Sequence, residues 1–200
     1  MKITLRTRGS IAVIAALTLA FVAAAPAGAT EGGEVNVLLA RLEGSSNAAA
    51  EFQAMSAEQQ KAVVEYLTPT NVQTEVVNER VDPTTTRAAS CYTYTSRAYF
   101  NNNIGQQIGS MWTTGRICSS GSTVTSATFV DGGGNTAMPF WSYKGITSKG
   151  GGVQRGGGYV YGAYKFELNA VGVPIQTPTY CSRVVGTAVA AHGDTGCGIG

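Results

Sequence analysis

Charge and glycine divide this chain into two unlike parts near the run VDPTTTRAAS, residues 81–90. Residues 31–83 hold nine acids against three bases, a net −6, whereas residues 84–200 hold three acids against eight bases, a net +5. Of the 26 glycines, 21 lie at or beyond Gly105, and no cysteine falls in the acidic part. Each part therefore follows its own pattern of secondary structure.

The acidic part reads as helix. VNVLLARLEG sets Val35, Leu38, Leu39 and Leu42 at helical spacing, with Gly44 as a stop. A second helix is expected from Ser56, whose hydroxyl can cap free N–H groups while Gln59 reaches back in a capping box. Val63, Val64 and Leu67 then share a face, and Thr68-Pro69 ends the helix. Phe52 and Met55 fit a further helical turn just before it. These stripes are too small to make a core alone and need a surface to pack on. A solvated linker is expected over residues 68–90.

The remainder reads as strands. CYTYTSRAYF alternates Tyr92, Tyr94, Ser96, Ala98 and Phe100 against Thr93, Thr95, Arg97 and Tyr99. IGSMWTTGRIC, STVTSATFV, PFWSYKGIT, YVYGAYKFEL and SRVVGTAVAA follow, separated by Gly, Asn and Ser clusters. Richness in Thr, Val and Tyr supports strands. The expected fold is mainly β, an antiparallel β-sandwich or a small barrel, preceded by a short helical segment.

Residues 1–29 have the pattern of an export signal. Lys2, Arg6 and Arg8 precede an apolar run from Ile11 to Ala25, short of the roughly 20 residues a membrane span needs. Ala27-Gly28-Ala29 closes it with the small-x-small pattern of a signal peptidase site. Cleavage after Ala29 moves the net charge from +2 to −1, because the segment carries three bases and no acid. The reading is a secreted, extracellular protein with no membrane span in its mature form. Its charge gives no support to a nucleic-acid partner.

In an exported chain the even set Cys91, Cys118, Cys181 and Cys197 implies two disulfides. Pairing near neighbours in sequence favours Cys91–Cys118 with Cys181–Cys197 among three connectivities. No C-x-x-C or H-x-x-x-H spacing occurs, so no metal is expected.

The stretch SKGGGVQRGGGYVYGAYKFEL, residues 148–168, tests nucleotide chemistry. A dinucleotide fingerprint starting at Gly150 meets Arg155 where its last glycine belongs, and a strand follows where a helix is needed. A P-loop starting at Gly151 meets Gly157-Gly158 in place of Lys and Ser/Thr. The triplets are expected to form a loose connection between two strands, and no cofactor is expected. HGDTGCGIG shares three residues with the nucleophile loop of trypsin-like proteases, but Thr195 stands at the nucleophile and His192 lies only three residues before it. A sugar hydrolase would need two carboxylates flanking one bond; Asp131 and Glu167 are the available pair, although DGGGN reads more simply as a glycine turn.

Aromatic residues crowd the same region: Trp112, Trp141, Tyr143, Tyr159, Tyr161 and Tyr164. Alternation along YVYGAYKFEL places Val160, Gly162, Tyr164, Phe166 and Leu168 on a buried face, and Tyr159, Tyr161, Ala163 and Lys165 on the other. Tyr159 and Tyr161, with Arg155 on the adjoining rim, are the candidate binding residues.

The signal segment, the acidic lead EFQAMSAEQQKAVVEYLTPT and the opening CYTYTSRAYF together resemble small secreted proteins of actinobacteria. The resemblance implies location and architecture and assigns no residue a role. The function expected is that of a non-enzymatic β-sandwich binding a surface, a glycan or a protein partner. The alternatives are a secreted toxin, inhibitor or antibacterial component, and a hydrolase using Asp131 and Glu167. The −6 lead, residues 30–83, is expected to dock on the +5 domain, residues 84–200, as a prosegment or a permanent arm.

Overall fold

The structure, a computed structural model, describes residues 31–81, 90–169 and 174–200. The expected cleavage point at Ala29 and the middle of the VDPTTTRAAS run lie outside them. Three helices come first: α1 (Glu31–Gly44), α2 (Ala48–Gln53) and α3 (Ala57–Leu67). The α3 start is set by local chemistry, since the Gln59 N–H donates to Ser56 Oγ at 3.2 Å and the Ser56 N–H donates to Gln59 Oε1 at 3.1 Å. Val35, Leu38, Leu39, Leu42, Val63 and Leu67 are buried as their spacing requires. Val64 is only half-buried, and Tyr66 takes its place in the core.

Eight strands follow: β1 (Asn71–Val81), β2 (Ser90–Asn101), β3 (Gln107–Ser120), β4 (Thr123–Thr136), β5 (Trp141–Gln154), β6 (Gly157–Leu168), β7 (Thr179–Gly186) and β8 (Ala191–Asp194). They form two antiparallel four-stranded sheets, β1-β2-β3-β4 and β5-β6-β7-β8, each in chain order. The sheets pack face to face, β3 against β6 and β7, and β4 against β5 and β6. This is the sandwich rather than the barrel. β1 lies inside the stretch expected as linker: Val72 stands opposite Phe100, so the acidic part supplies three helices and an edge strand.

Two expected turns are strands instead. Asp131 to Asn135 continues β4, and Gly150 to Gly152 continues β5. The connection between β5 and β6 is the two-residue turn Arg155-Gly156, with φ of 50° and 79°, the double positive φ of a tight hairpin. The glycines are needed for close approach. A side chain on Gly151 would stand 2.5 Å from the carbonyl oxygen of Ala127 on β4. On Gly134 it would meet the rings of Phe166 and Tyr143 at 2.8 Å.

The interior has two apolar clusters separated by a polar band. One, drawn from β2, β3, β4, β6 and β7, holds Tyr94, Ile117, Val124, Ala127, Val160 and Val184. Between the clusters, Thr113 Oγ1 lies 2.7 Å from both the Tyr164 hydroxyl and the Ser182 carbonyl. Ser182 Oγ donates to the Ser96 carbonyl at 2.9 Å. Ser96, Thr113 and Ser182 are all fully buried, and their mutual bonds offset the cost of that burial. Burial pushes the Tyr164 phenol up to about 12, despite the opposing hydrogen bond from Thr113.

The other cluster joins the helices to the sandwich. Leu38, Leu39, Leu42, Val63 and Leu67 share one core with Phe100, Ile108, Met111, Trp141, Phe166 and Leu168. Trp141 Nε1 donates to the Leu67 carbonyl at 2.9 Å, and Gln176 Nε2 to Thr68 Oγ1 at 3.2 Å. Arg41–Glu51 and Lys61–Glu65 pair within the helical part, and Lys144–Glu167 and Arg183–Asp194 within the sandwich. Among the described residues, this shared apolar core and these two hydrogen bonds join the helices to the sandwich.

Both disulfides are Cys91–Cys118 and Cys181–Cys197. The first joins residues directly opposite each other on β2 and β3. The second ties β7 to the chain beyond β8.

Candidate functional site

The outer face of the second sheet carries both candidate tyrosines. Strand register sets Gly152, Tyr159, Val185 and His192 in one row, and Gly150, Tyr161, Arg183 and Asp194 in the next. The alternation read from YVYGAYKFEL holds, except that Ala163 is also buried. Both tyrosines are half-buried. The first triplet makes room for one of them: a side chain on Gly150 would meet Tyr161 Cε1 at 3.0 Å and its hydroxyl at 3.3 Å. The Tyr161 hydroxyl lies 3.4 Å from Ser148 Oγ. Arg155 stands apart, exposed at the hairpin tip.

What lay beyond local pattern is the strap made by residues 195–200. Cys197 is held to β7 by its disulfide, and Arg183 Nη1 donates to the Gly198 carbonyl at 2.9 Å. Farther along, Ile199 sits 3.3 Å from where a Gly152 side chain would begin. Since β6 lies between β7 and β5, the strap crosses it at the rows of Tyr159 and Tyr161. Only the Cys181–Cys197 spacing carried a signal of this closure in the sequence.

Arg183 fastens the strap. Its Nε and Nη2 both donate to the Asp194 carboxylate at 2.7 Å, and its guanidinium lies 5.4 Å from the Tyr159 ring centre. The Gly196 N–H also donates to Asp194 Oδ1, at 2.8 Å. Burial alone would push the Asp194 carboxyl up. The Arg183 hydrogen bonds, the Gly196 N–H and the charges of Arg183 and His192 outweigh it and hold the group below its ordinary value. Asp194 is thus part of the strap's anchorage, and His192 and Thr195 are exposed beside it.

This anchorage has a pH signature. A depressed carboxyl contributes stability in full above its unfolded value of about 3.9, and loses it as pH falls through the lower folded value. An NMR titration of the Gly196 amide is expected to show an acid transition below about pH 4, absent in Asp194→Asn. A transition centred at or above the ordinary carboxylate value contradicts it.

No protein-family model, curated protein or solved structure matches this chain. The site is read from its own chemistry.

Asp131 and Glu167 do not form a pair. Asp131 stands opposite Thr114 on the outer face of the first sheet, whereas Glu167 shares the outer face of the second with Ser142. Glu167 is already bound to Lys144 at 3.0 Å. Two carboxylates on opposite outer faces of a sandwich cannot flank one glycosidic bond. Among the described residues, no group of three or more His, Cys, Asp or Glu is placed to hold a metal ion, and no helix is long and apolar enough to cross a membrane.

A residue passed over as a site candidate also lies outward. Trp112 stands on the outer face of the first sheet in a row with Arg97 and Gly133, and a side chain on Gly133 would meet its ring at 2.6 Å. The glycine of DGGGN, read as a turn former, is the seat of that indole.

Proposed function

We propose that the protein is a secreted, non-enzymatic module that binds a glycan surface through outward-facing aromatic rings. The observation that supports it is the seating of Tyr161 against Gly150 on the solvent side of the sheet, rather than in the core. Tyr161 stays half-exposed beside the strap of residues 195–200, and the amphipathic tyrosine pairs an apolar face with a polar tip. Trp112 against Gly133 repeats the arrangement on the opposite sheet. Two disulfides suit work outside the cell. The separation of Asp131 from Glu167 counts against the hydrolase alternative.

Sedimentation with insoluble polysaccharides tests this reading. Wild-type protein is expected to co-sediment with at least one of them, and Tyr159→Ala with Tyr161→Ala is expected to weaken that by about tenfold, as loss of central aromatic contacts does. Tyr159→Phe with Tyr161→Phe, which keeps the rings, should retain most of it. Failure to sediment with any polysaccharide, or full retention in the double alanine variant, refutes the assignment.

A further inference from the structure

We infer that the cleft between α1, α3 and the β2–β3 turn is a docking site for a cationic amphipathic segment of a partner protein. The cleft has a volume of about 320 Å³, at the small end of ligand sites, which run from about 300 to 1,000 Å³. That is room for anchoring side chains rather than a whole ligand. Its floor is apolar, made by Val35, Leu38 and Ala62, and Ile104 stands at its lip with 54% of its surface exposed.

The walls are fixed in advance. The buried Tyr66 phenol lies between the side-chain amides of Asn36 on α1 and Gln106 of the turn and gives its one proton to one of them, bridging helix and hairpin. The buried Asn102 accepts from the Ile104 and Gln106 N–H groups at 3.2 and 2.8 Å, and so fixes the turn that presents Ile104. A preformed cleft spares a partner the entropy of ordering it.

Charge decides the class of partner. Glu34, Glu58 and Glu65 line the cleft, on a segment whose net charge is −6. Lys61 reaches Glu65 at 3.7 Å with both side chains mostly exposed, a pairing too solvated to cancel the field. These carboxylates are not grouped closely enough to hold a metal ion. They are spread around an apolar floor, which matches several cations flanking an apolar stripe, the pattern of an amphipathic helix laid in a groove. The site lies on the helical end, and its fate is independent of the tyrosine face.

The test uses the whole protein and a designed helical peptide of about 18 residues, long enough to hold a helix, with Leu on one face and Lys on the other. A Glu-for-Lys peptide and a scrambled Lys/Leu peptide are the controls. NMR titration is expected to show the Lys peptide alone shifting amides of α1, α3 and residues 103–104. Glu34→Gln with Glu58→Gln and Glu65→Gln should raise its Kd by about tenfold or more, as should raising salt from about 0.05 to 0.5 M. Ile104→Ser should weaken binding with every charge retained. The inference is overturned if the Lys peptide does not bind, if its shifts map elsewhere, if the scrambled peptide binds equally, or if the triple variant binds it unchanged.

Discussion

Replacing Leu67 by alanine is expected to destabilise the protein by about 2–5 kcal/mol, the range for removing a fully buried leucine. Leu67 has no exposed surface and belongs to the cluster that α1 and α3 share with Phe100, Trp141, Phe166 and Leu168. Its carbonyl also accepts the Trp141 indole N–H, so a shift in α3 disturbs a buried hydrogen bond as well as packing. Val64→Ala, one turn back on a half-buried position, should cost well under half as much. Urea unfolding followed by far-ultraviolet circular dichroism and by Trp141 fluorescence, in a Trp112→Phe background, checks this. Coincident transitions are expected, because one core spans the helices and the sandwich. A cost below about 1 kcal/mol, or helical signal lost well before the fluorescence change, would show that the helices are dispensable.

Gly132→Ala is the second large effect. Gly132 faces inward on β4, and a methyl there would run into the Tyr164 hydroxyl and stand 2.8 Å from the Trp112 carbonyl. That hydroxyl donates to the same carbonyl and bonds to Thr113, so it cannot retreat without leaving buried polar atoms unpaired. Overpacking costs about 1–3 kcal/mol and an orphaned buried group about 1–3 kcal/mol more, giving a loss of about 2–6 kcal/mol. Tyr164→Phe removes the oxygen in the way. The double variant is therefore expected to be more stable than the sum of the two single losses, read from urea midpoints in a double-mutant cycle. Strict additivity would mean that the phenol is not what excludes a side chain at position 132.

The same glycine shows where reading residues in order stops working. DGGGN has the composition of a turn, and in isolation it would be one. It is a strand because a ring waits across the interior or beside it at each glycine: Tyr164 at Gly132, Trp112 at Gly133, Phe166 and Tyr143 at Gly134. GGG at 150–152 is a strand for a related reason, with Tyr161 beside Gly150 and the β4 backbone against Gly151. Glycine's backbone freedom is a local property. The need for a missing side chain is set by a residue far along the chain.

What sequence alone determined are the features governed by neighbours a few positions apart. The Ser56–Gln59 box, the stripes of α1 and α3, and the alternation along β2 and β6 all follow from spacing. Tertiary structure decided the rest. The chain changes sheet between β4 and β5, and that crossing alone sends Asp131 and Glu167 to opposite outer faces. β1 became a strand because β2 offered it an edge. The tyrosine face came to lie beneath residues 195–200 because Arg183 and Cys181 reach across to hold them. In each case the deciding contact joins residues distant in sequence, which no local period encodes.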